Sequence, residues 1–595
     1  MKRIAGVGLG LVMAAAMMAV PAYRGWQTVT QADGTTIEIQ VLGDEYYHYT
    51  VNREGMEVRE TNGMYEVVGE RPSKAYAQAQ RAKAKARRAR KEFGISPNLA
   101  PKGIVLLVNF ADTKLDNDHT QAVFDELCNS TNCTVNTYQS TNYPSAAEYF
   151  KAQSNGAYRP VFDVFGPVTL SQGYAFYGQN DKKGNDLYPW DAVIEGCILA
   201  NEKYPNLNFA DYDSDNDGYI DFVYVIYAGK GEANGGDRNT IWPHNWSLEY
   251  AVYPLVCDDD GNNCYIDYEE GTRMSCCYTE DDIVLDGKIL NNYAMSAELD
   301  SRSRLSGIGT LCHEFGHVMG LPDLYDTDYG TNYQELLTPN EWDIMDGGSY
   351  NGGGHCPPNY DPWEKYFFGW ATPVNYGEVG QLITLYANGT ADYNVVQVNE
   401  SGLLQDAAEN GWCYYLENRQ QSGWDSFVPS HGMVIWKVNY EESLWAYNMP
   451  NNTENQPRFT IVCSYGTQVG ETNGSGNVFD GSSARKSSWT GVSGKPVKQI
   501  SEYDGVITAL YIEEPSEKTV TWVVNGDTLE TKIYAEDGSE ALELPTKAVV
   551  PCEGTSFIGW TAVQGWADPF LLPDDLFTEA AGKVTKNVTY YAVFE

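Results

Sequence analysis

The feature that most restricts the fold of this chain is the run from His313 to Asp323, which begins His-Glu-Phe-Gly-His. On a helix, His313 and His317 lie four positions apart and therefore on the same face. Two imidazoles in this arrangement can bind one zinc ion, while Glu314 lies beside them as a general base. A buried helix with two hydrogen-bonded histidines would give the same motif, so the motif alone leaves that alternative open.

The residues after the second histidine restrict the site further. Gly320 can adopt the left-handed conformation that ends a helix, and Pro322 cannot continue one. The chain must therefore turn back, and this turn can bring Asp323 to the metal as a third ligand. A thermolysin-like site would instead continue the helix and take a glutamate from a second helix, either Glu335 or Glu341. Gly320 and Pro322 argue against that alternative.

A tight turn that presents Met345 follows in the segment from Trp342 to Gly348. The combined pattern resembles the metzincin zinc peptidases, in which a methionine turn lies beneath the metal. Most metzincins have a histidine at the position that Asp323 occupies in this chain.

More closely, the chain resembles the immune inhibitor A family of secreted bacterial metallopeptidases over about residues 25–515. The resemblance is carried by residues 103–112, by residues 227–231 with 241–244, by residues 313–323 and by residues 415–420. It implies a metzincin-like zinc peptidase domain that acts on proteins or peptides, with His313, His317 and Asp323 as zinc ligands.

The length of the chain, 595 residues, is enough for several domains of about 100–200 residues each. We predict an α+β protein in five parts: a signal peptide (1–22), a propeptide with a basic helical linker (23–96), a metallopeptidase catalytic domain (97–380), a β-sandwich (381–515) and a β-grasp-like module (516–595). In the catalytic domain, apolar patterning predicts strands at 103–110 and 222–228 and helices at 145–152 and 190–204.

The N-terminal residues have the pattern of a secretory signal peptide. Lys2 and Arg3 precede an apolar stretch that ends in small residues, which predicts cleavage after Ala22. The apolar stretch is shorter than the roughly 20 residues of a membrane span, and no later segment is long and apolar enough to be one. We therefore expect a secreted or extracellular protein, either free or at the cell surface.

The charge of the chain excludes some classes of partner. With 40 basic and 81 acidic residues, its net charge is -41. Such a chain repels phosphate backbones and anionic lipid headgroups, so we expect neither nucleic-acid nor membrane binding. Calcium ions are better partners.

A candidate calcium site lies between two predicted elements of the catalytic domain. Carboxylates alternate along the loop, Gly218 allows a sharp turn, and the Tyr219 carbonyl is available, which is the ligand order of an EF-hand-like loop. Position twelve of this loop is Tyr224 and not glutamate, so a bidentate closing ligand must come from elsewhere or be missing. The predicted ligands of a structural Ca²⁺ are Asp213, Asp215, Asp217, Tyr219 and Asp221.

All 12 cysteines lie at or after Cys128. Their even number in an exported chain predicts disulfides, and Cys128 with Cys133 and Cys257 with Cys264 are plausible local bridges. Cysteine zinc sites are disfavoured because the chain contains no Cys-x-x-Cys spacing.

The segment before the catalytic domain predicts a zymogen. Alternating residues between 23 and 70 predict a small β unit, and the basic stretch from Lys74 to Lys91 predicts an exposed helical linker that proteases could cut. Because this segment has no cysteine, latency cannot come from a thiolate on the metal. An acidic side chain, His48 or simple steric blocking would have to provide it.

The C-terminal module resembles the β-grasp-like repeats of internalin-type bacterial surface proteins. The signatures are Phe-x-Gly-Trp at residues 557–560 and Tyr-Ala-x-Phe at residues 591–594. Such modules are spacers or binding units, so contact with a cell surface or a glycan is a further expectation.

Two functions are compatible with these patterns. The first is a secreted zinc endopeptidase in which Glu314 activates a zinc-bound water, with Tyr350 and His355 as candidate donors to the oxyanion. The second is a calcium-stabilised surface binding protein whose peptidase domain is inactive. Because an inactive relative would be expected to lose Glu314 or a histidine ligand, and all are present, we favour the enzyme.

Overall fold

The computed structural model describes 24 stretches of the chain, and the account below refers to these residues. They are residues 26–31, 34–44, 47–61, 64–70, 102–180, 186–214, 216–248, 255–257, 264–266, 278, 282–327, 337–375, 380–399, 411–446, 448–453, 456–466, 469, 474–492, 495–511, 518–534, 540–562, 576–580, 582–584 and 587–595. The predicted signal peptide (1–22) and the basic stretch 74–91 lie outside the described residues. In the described part of the chain, no helix is long and apolar enough to cross a membrane.

The N-terminal segment forms an antiparallel sheet of five strands in sequence order. The strands are β1 (Gln27–Thr30), β2 (Thr36–Asp44), β3 (Tyr47–Asn52), β4 (Met56–Thr61) and β5 (Met64–Glu70). Alternation of apolar and polar residues along β2 buries Ile39 and Val41 and leaves Thr36 and Glu38 exposed. Val41 packs against Ala233 and Trp242, which lie in the next domain.

The region from residue 103 to residue 375 has mixed secondary structure, as an α+β fold requires. Its strands are β6 (Gly103–Asn109), β7 (Thr137–Tyr138), β8 (Thr141–Asn142), β9 (Phe162–Thr169), β10 (Phe222–Lys230), β11 (His244–Ser247), β12 (Leu255–Cys257), β13 (Cys264–Ile266), β14 (Val284–Leu285), β15 (Lys288–Ile289), β16 (Asn292–Leu299) and β17 (Val374–Asn375). Its α-helices are α1 (Gln121–Asn129), α2 (Ala146–Gln153), α3 (Tyr174–Tyr177), α4 (Pro189–Lys203), α5 (Gly309–Val318) and α6 (Pro362–Phe367). Short 3₁₀ helices cover Phe209–Tyr212, Glu232–Asn234, Asn340–Trp342 and Gly347–Gly354.

A five-stranded sheet with the order β11-β16-β10-β6-β9 is the centre of this region. Strands β16, β10, β6 and β9 are parallel, and the edge strand β11 is antiparallel to β16. Every residue of β6 is buried, as expected for a parallel strand that is covered on both faces. The strands and helices predicted at 103–110, 145–152, 190–204 and 222–228 occur within a few residues of the expected bounds.

Helix α5 is fixed to the sheet through one apolar face. The ring of Phe315 packs edge-on against Phe150 of α2, at 5.1 Å, and against Phe162 of β9, at 5.0 Å between ring centroids. Ile308, Cys312 and Met319 of the same face are also fully buried. The predicted helical stripe therefore faces the core, and the histidines lie on the other side of the helix.

The following region is rich in β-structure and contributes two sheets. Its strands are β18 (Gln381–Leu385), β19 (Val396–Asn399), β20 (Cys413–Arg419), β21 (Gly432–Val438), β22 (Phe459–Ile461), β23 (Val478–Phe479), β24 (Ser488–Val492), β25 (Lys495–Tyr503) and β26 (Val506–Tyr511), with the short helix α7 (Glu442–Ala446) and 3₁₀ helices at Gly423–Phe427 and Ser475–Asn477. One sheet has the order β17-β19-β20-β21-β22, with β23 also on β21, and the other has the order β18-β26-β25-β24. The core of the region from residue 103 to residue 375 continues into the first sheet through Tyr415, Val434 and Trp436.

The C-terminal residues form a separate compact unit. Strands β27 (Lys518–Val524), β28 (Asp527–Tyr534), β29 (Phe557–Thr561) and β30 (Val588–Phe594) pair in the order β28-β27-β30-β29. Trp522, Trp560 and Tyr590 form its aromatic core, in which the two tryptophan ring centroids are 4.7 Å apart. The Phe-x-Gly-Trp and Tyr-Ala-x-Phe signatures therefore supply core residues of this unit.

One disulfide prediction is wrong. Cys128 and Cys133 are both free thiols, and Cys128 is completely buried at the end of α1. Burial raises the pKa of the Cys128 thiol, so this side chain behaves as a small apolar residue of the core. Cys257 and Cys264 are directly opposite each other in the β12–β13 pair, and their bridge stays a prediction.

Candidate metal centre

Helix α5 brings the histidines and the glutamate of the motif into one buried site. His313, Glu314 and His317 are each fully buried. The helix ends as expected, because Gly320 has a φ of +103° and its N–H donates to the carbonyl of His317 at 2.9 Å. The chain then reverses, and Asp323 lies in the same buried site.

Three ligand atoms converge after this reversal. The Nε2 atoms of His313 and His317 are 3.1 Å apart, and Oδ1 of Asp323 lies 3.1 Å and 3.3 Å from them. Two ligands at 2.0–2.1 Å from a tetrahedral zinc are about 3.3–3.4 Å apart. The triangle therefore has the size of three zinc ligands around one ion.

The hydrogen bonds of the two imidazoles support the same interpretation. Nδ1 of His313 donates to the carbonyl of Ile344 at 2.7 Å, and Nδ1 of His317 donates to the carbonyl of Leu321 at 2.8 Å. Each neutral ring then has a lone pair at Nε2, which is the metal-binding tautomer. Burial lowers the pKa of His317, which keeps that ring neutral. Two nitrogen lone pairs and a carboxylate oxygen at these distances repel one another unless a cation lies between them.

The methionine turn packs against the helix between the two histidines. A Cβ atom at Gly316 would lie 2.9 Å from Sδ of Met345 and 3.1 Å from the Tyr360 hydroxyl oxygen. Met345 is fully buried, and its carbonyl accepts a hydrogen bond from the N–H of Leu324 at 2.8 Å. Met345 is thus in contact with the helix and also linked to the segment that carries Asp323.

The third candidate ligand is held by a residue that the sequence analysis missed. Asn448 donates from Nδ2 to Oδ2 of Asp323 at 2.6 Å, and its Oδ1 accepts the N–H of Asp323 at 2.5 Å. Two further asparagines hold the same segment: Asn451 donates to the carbonyl of Leu324 at 2.6 Å, and Asn452 accepts the N–H of Thr327 at 3.1 Å. Asparagine-rich turns are common, so the sequence gives no signal for this contact.

The thermolysin-like alternative receives no support from the described residues. Glu341 is exposed in a 3₁₀ helix and does not belong to the buried site, whereas Glu335 lies outside the described residues. The group formed by His313, His317 and Asp323 has one ligand atom from each residue within 4.8 Å of the others.

A cavity of about 300 Å³ lies beside the N-terminal end of α5. Its lining includes Thr310 of α5, Tyr350, and Asn234, and the Tyr350 side chain is half-buried there. His355 does not line the cavity. Its ring is buried, its Nδ1 lies 2.7 Å from Oδ1 of Asn136, and it stacks on Tyr138. Of the two candidate oxyanion donors, Tyr350 therefore lines the cavity and His355 does not.

The acidic loop before β10 is closed by hydrogen bonds of its own. Asp213 accepts the N–H groups of Asp217 and Gly218, at 3.0 Å and 3.1 Å, and forms an ion pair with Lys288. Hydrogen bonding to Lys288 is the main reason that the pKa of Asp213 is lowered. Among the described residues, Asp213, Asp217 and Asp221 do not form a group of three converging ligands, and Asp215 lies outside them. Calcium binding at this loop stays a prediction.

Comparison with known proteins confirms the family that the motifs indicated. Residues 98–373 match the family model described as immune inhibitor A peptidase M6, catalytic domain. Immune inhibitor A of Bacillus thuringiensis subsp. alesti is 26% identical over 342 residues, which are 51% of this chain and 45% of that protein. The pre-pro-metalloprotease PrtV of Vibrio cholerae serotype O1 is 25% identical over 296 residues, which are 45% of this chain and 29% of PrtV. The chain thus spans less than half the length of these two relatives. The resemblance to the immune inhibitor A peptidase M6 family is therefore confirmed for residues 98–373, which match its catalytic-domain model.

Proposed function

We propose that this protein is an exported zinc-dependent endopeptidase. The observation that carries the proposal is the convergence of His313 Nε2, His317 Nε2 and Asp323 Oδ1 at 3.1–3.3 Å, with both imidazoles held in the metal-binding tautomer. The parallel sheet with an antiparallel edge strand, the helix beneath it and the methionine against that helix support a metzincin-like catalytic domain.

Zinc held by these three residues would lower the pKa of a water molecule and polarise the scissile carbonyl. Glu314 accepts the proton of the attacking water and returns it to the leaving amine. Glu314 is fully buried, and the low local dielectric there strengthens its electrostatic interactions with the metal and with the reacting groups. Tyr350, in the wall of the adjacent cavity, is our candidate donor to the developing oxyanion.

The sequence supports export and a latent precursor. Residues 1–22 have the signal-peptide pattern, and the basic stretch from Lys74 to Lys91 offers cleavage sites between the N-terminal sheet and the catalytic domain. The N-terminal sheet packs through Val41 on Ala233 and Trp242, beside the cavity-lining Asn234. Steric blocking of the cleft by this sheet is therefore our proposal for latency.

Two further roles complete the proposal. A structural Ca²⁺ at residues 213–221 would stabilise the loop that precedes β10, and the C-terminal unit would contact a cell surface or a glycan. The loop carries alternating carboxylates, and the C-terminal unit folds around the aromatic residues of its repeat signatures.

The proposed activity is tested by incubating the purified protein, intact and trypsin-treated, with a library of quenched peptides. We expect internal cleavage that 1,10-phenanthroline abolishes and added zinc restores. The cleaved bonds would also define the specificity, which the sequence does not reveal. Absence of cleavage in both preparations with zinc present would show that the proposal is wrong.

A further inference from the structure

A second cluster of buried carboxylates lies next to the methionine turn. Asp343 precedes Met345 by two positions, and Asp361 and Glu364 stand at the start of helix α6. All three residues are at most 1% exposed, and one carboxylate oxygen from each lies within 4.8 Å of the others. Such burial of three acidic groups is costly unless their charge is compensated.

Each carboxylate uses one of its oxygens for a backbone N–H. Oδ1 of Asp343 accepts from Met345 at 2.7 Å, Oδ1 of Asp361 accepts from Glu364 at 2.9 Å, and Oε2 of Glu364 accepts from Asp361 at 3.0 Å. The second oxygens, Asp343 Oδ2, Asp361 Oδ2 and Glu364 Oε1, are completely buried, and none accepts a hydrogen bond from a donor group of the described residues. The carboxyl groups of Asp343 and Asp361 lie within hydrogen-bonding distance of each other. Three orphaned acceptors in one cluster need a positively charged ligand or protons.

The neighbouring cationic side chains are already bound to other groups. Arg419 pairs with Glu417 at 2.7 Å and with Asp425 at 3.0 Å, and Lys365 donates to Asn388. The buried carboxyl groups of this region, which also include Asp346, thus outnumber its two buried cations, Arg419 and Lys365. Burial raises the pKa of Asp343 to about 6, and it also raises the pKa values of Asp361 and Glu364.

The hydroxyl group of Tyr360 is a further polar group in this region. The Tyr360 hydroxyl is completely buried and has no hydrogen-bond partner among the described residues. It is near enough to Glu364 and Asp343 for their charges, after burial, to raise its pKa. This hydroxyl is thus a further buried polar group near the cluster that has no hydrogen-bond partner among the described residues.

We propose that Asp343, Asp361 and Glu364 bind one divalent cation of the calcium class. Calcium prefers carboxylate oxygens at 2.3–2.6 Å, so two ligands on opposite sides of one ion are about 4.6–5.2 Å apart. The three oxygens lie within 4.8 Å of one another, which is inside this upper limit for oxygens bound to one calcium. An exported protein would also meet calcium outside the cell. Binding would compensate most of the buried negative charge.

The cation site would also help to orient a histidine of the candidate zinc centre. Ile344, which follows Asp343, offers the carbonyl that accepts Nδ1–H of His313 at 2.7 Å. A cation shared by Asp343 and α6 would therefore fix the turn that orients one histidine. The cation site itself does not depend on the proposed peptidase activity, since it is measured by binding and by unfolding.

The test uses the full chain with Glu314→Gln, which prevents self-digestion, and with zinc at a fixed saturating concentration. Terbium, a luminescent substitute for calcium, is titrated, and the buried Trp342 and Trp363 that flank the cluster sensitise its emission.

We expect Asp361→Asn and Glu364→Gln each to weaken the tight terbium site by at least roughly tenfold, because a charged oxygen ligand is lost. Both changes should also reduce the rise of Tm that calcium gives. Asp217→Asn in the exposed acidic loop is the matched control and should leave this site intact.

Two outcomes would overturn the proposal. In the first, the Asp361 and Glu364 variants keep the full terbium site and the full calcium-dependent rise of Tm. In the second, the three carboxyls share protons: the wild-type Tm then falls as the pH rises from about 4, where ordinary carboxyls titrate, through about 6, calcium has no effect on this fall, and Asp361→Asn reduces it. If a variant does not fold, calcium content decides. An Asp213→Asn, Asp217→Asn double variant should still retain one tightly bound calcium per chain after dialysis, and none would contradict the site.

Discussion

Asn448 holds Asp323 through both groups of its amide. Nδ2 of Asn448 donates to Oδ2 of Asp323 at 2.6 Å, and Oδ1 of Asn448 accepts the N–H of Asp323 at 2.5 Å. With Oδ2 and the backbone fixed, Oδ1 of Asp323 faces the two histidine nitrogens at 3.1 Å and 3.3 Å. Asn448 lies outside the matched residues 98–373, so the geometry of the candidate metal centre depends on the β-rich region that follows the peptidase region.

We therefore predict that Asn448→Ala lowers the affinity for zinc by about 10–100-fold, as the loss of an orienting partner of a metal ligand does elsewhere. The measurement is competition with a chromophoric chelator, together with the visible spectrum of the Co²⁺ form. Asn452→Ala is the matched control, because Asn452 bonds to Thr327 and not to Asp323. If both variants changed Tm alike and neither changed zinc affinity or the Co²⁺ spectrum, Asn448 would have only a structural role.

Glu314→Gln should keep zinc but lose turnover. The glutamine has nearly the same shape but cannot accept a proton from water, so we expect peptide hydrolysis to fall by roughly 10²–10⁴-fold. Zinc content, measured by mass spectrometry, should stay at one per chain. Turnover close to that of the unmodified enzyme would rule out Glu314 as the general base.

Asp323→Ala should reduce zinc content, whereas Glu341→Ala should not. Asp323 is fully buried beside the histidines, and Glu341 is exposed on a 3₁₀ helix. Melting curves with and without zinc would show whether the Asp323 variant is folded but has lost metal-dependent stabilisation. The reverse pattern would favour the thermolysin-like site.

Arg419→Met should destabilise the protein by about 3–5 kcal/mol, because it leaves Glu417 and Asp425 as buried charges without a partner. Arg458→Met is the matched control. Arg458 pairs with Glu441 near the surface, where such a pair contributes about 0–1 kcal/mol. Denaturant unfolding in saturating zinc would compare the two, and similar losses would show that Arg419 is not a special element of the core.

The sequence predicts the parts of this site that are contiguous in the chain. His313, Glu314 and His317 share one helical face by periodicity alone, and Gly320 with Pro322 indicates the turn that returns Asp323. Asn448 could not be found in this way, because its contact is with Asp323, which lies 125 positions away in the chain. The Cys128–Cys133 bridge was wrong for a related reason: spacing and export suggest a bond, but burial in the core explains a free thiol equally well.

The last prediction concerns latency and the contact of the N-terminal sheet. Val41 packs on Ala233 and Trp242, and Gln27 lies against Gly235, on either side of the cavity-lining Asn234. Limited trypsin treatment should cut within residues 82–94 and raise activity, whereas thiol-reactive mercurials should not raise activity, because the segment has no cysteine.

Val41→Glu places a charge in the contact of the N-terminal sheet and should raise the activity of the uncut precursor. Thr36→Glu, an exposed position of the same strand, is the matched control. A quenched-peptide assay with N-terminal sequencing measures both effects. Full activity of the intact chain, or activation by a cut far from residues 82–94, would show that the sheet is an ordinary N-terminal domain.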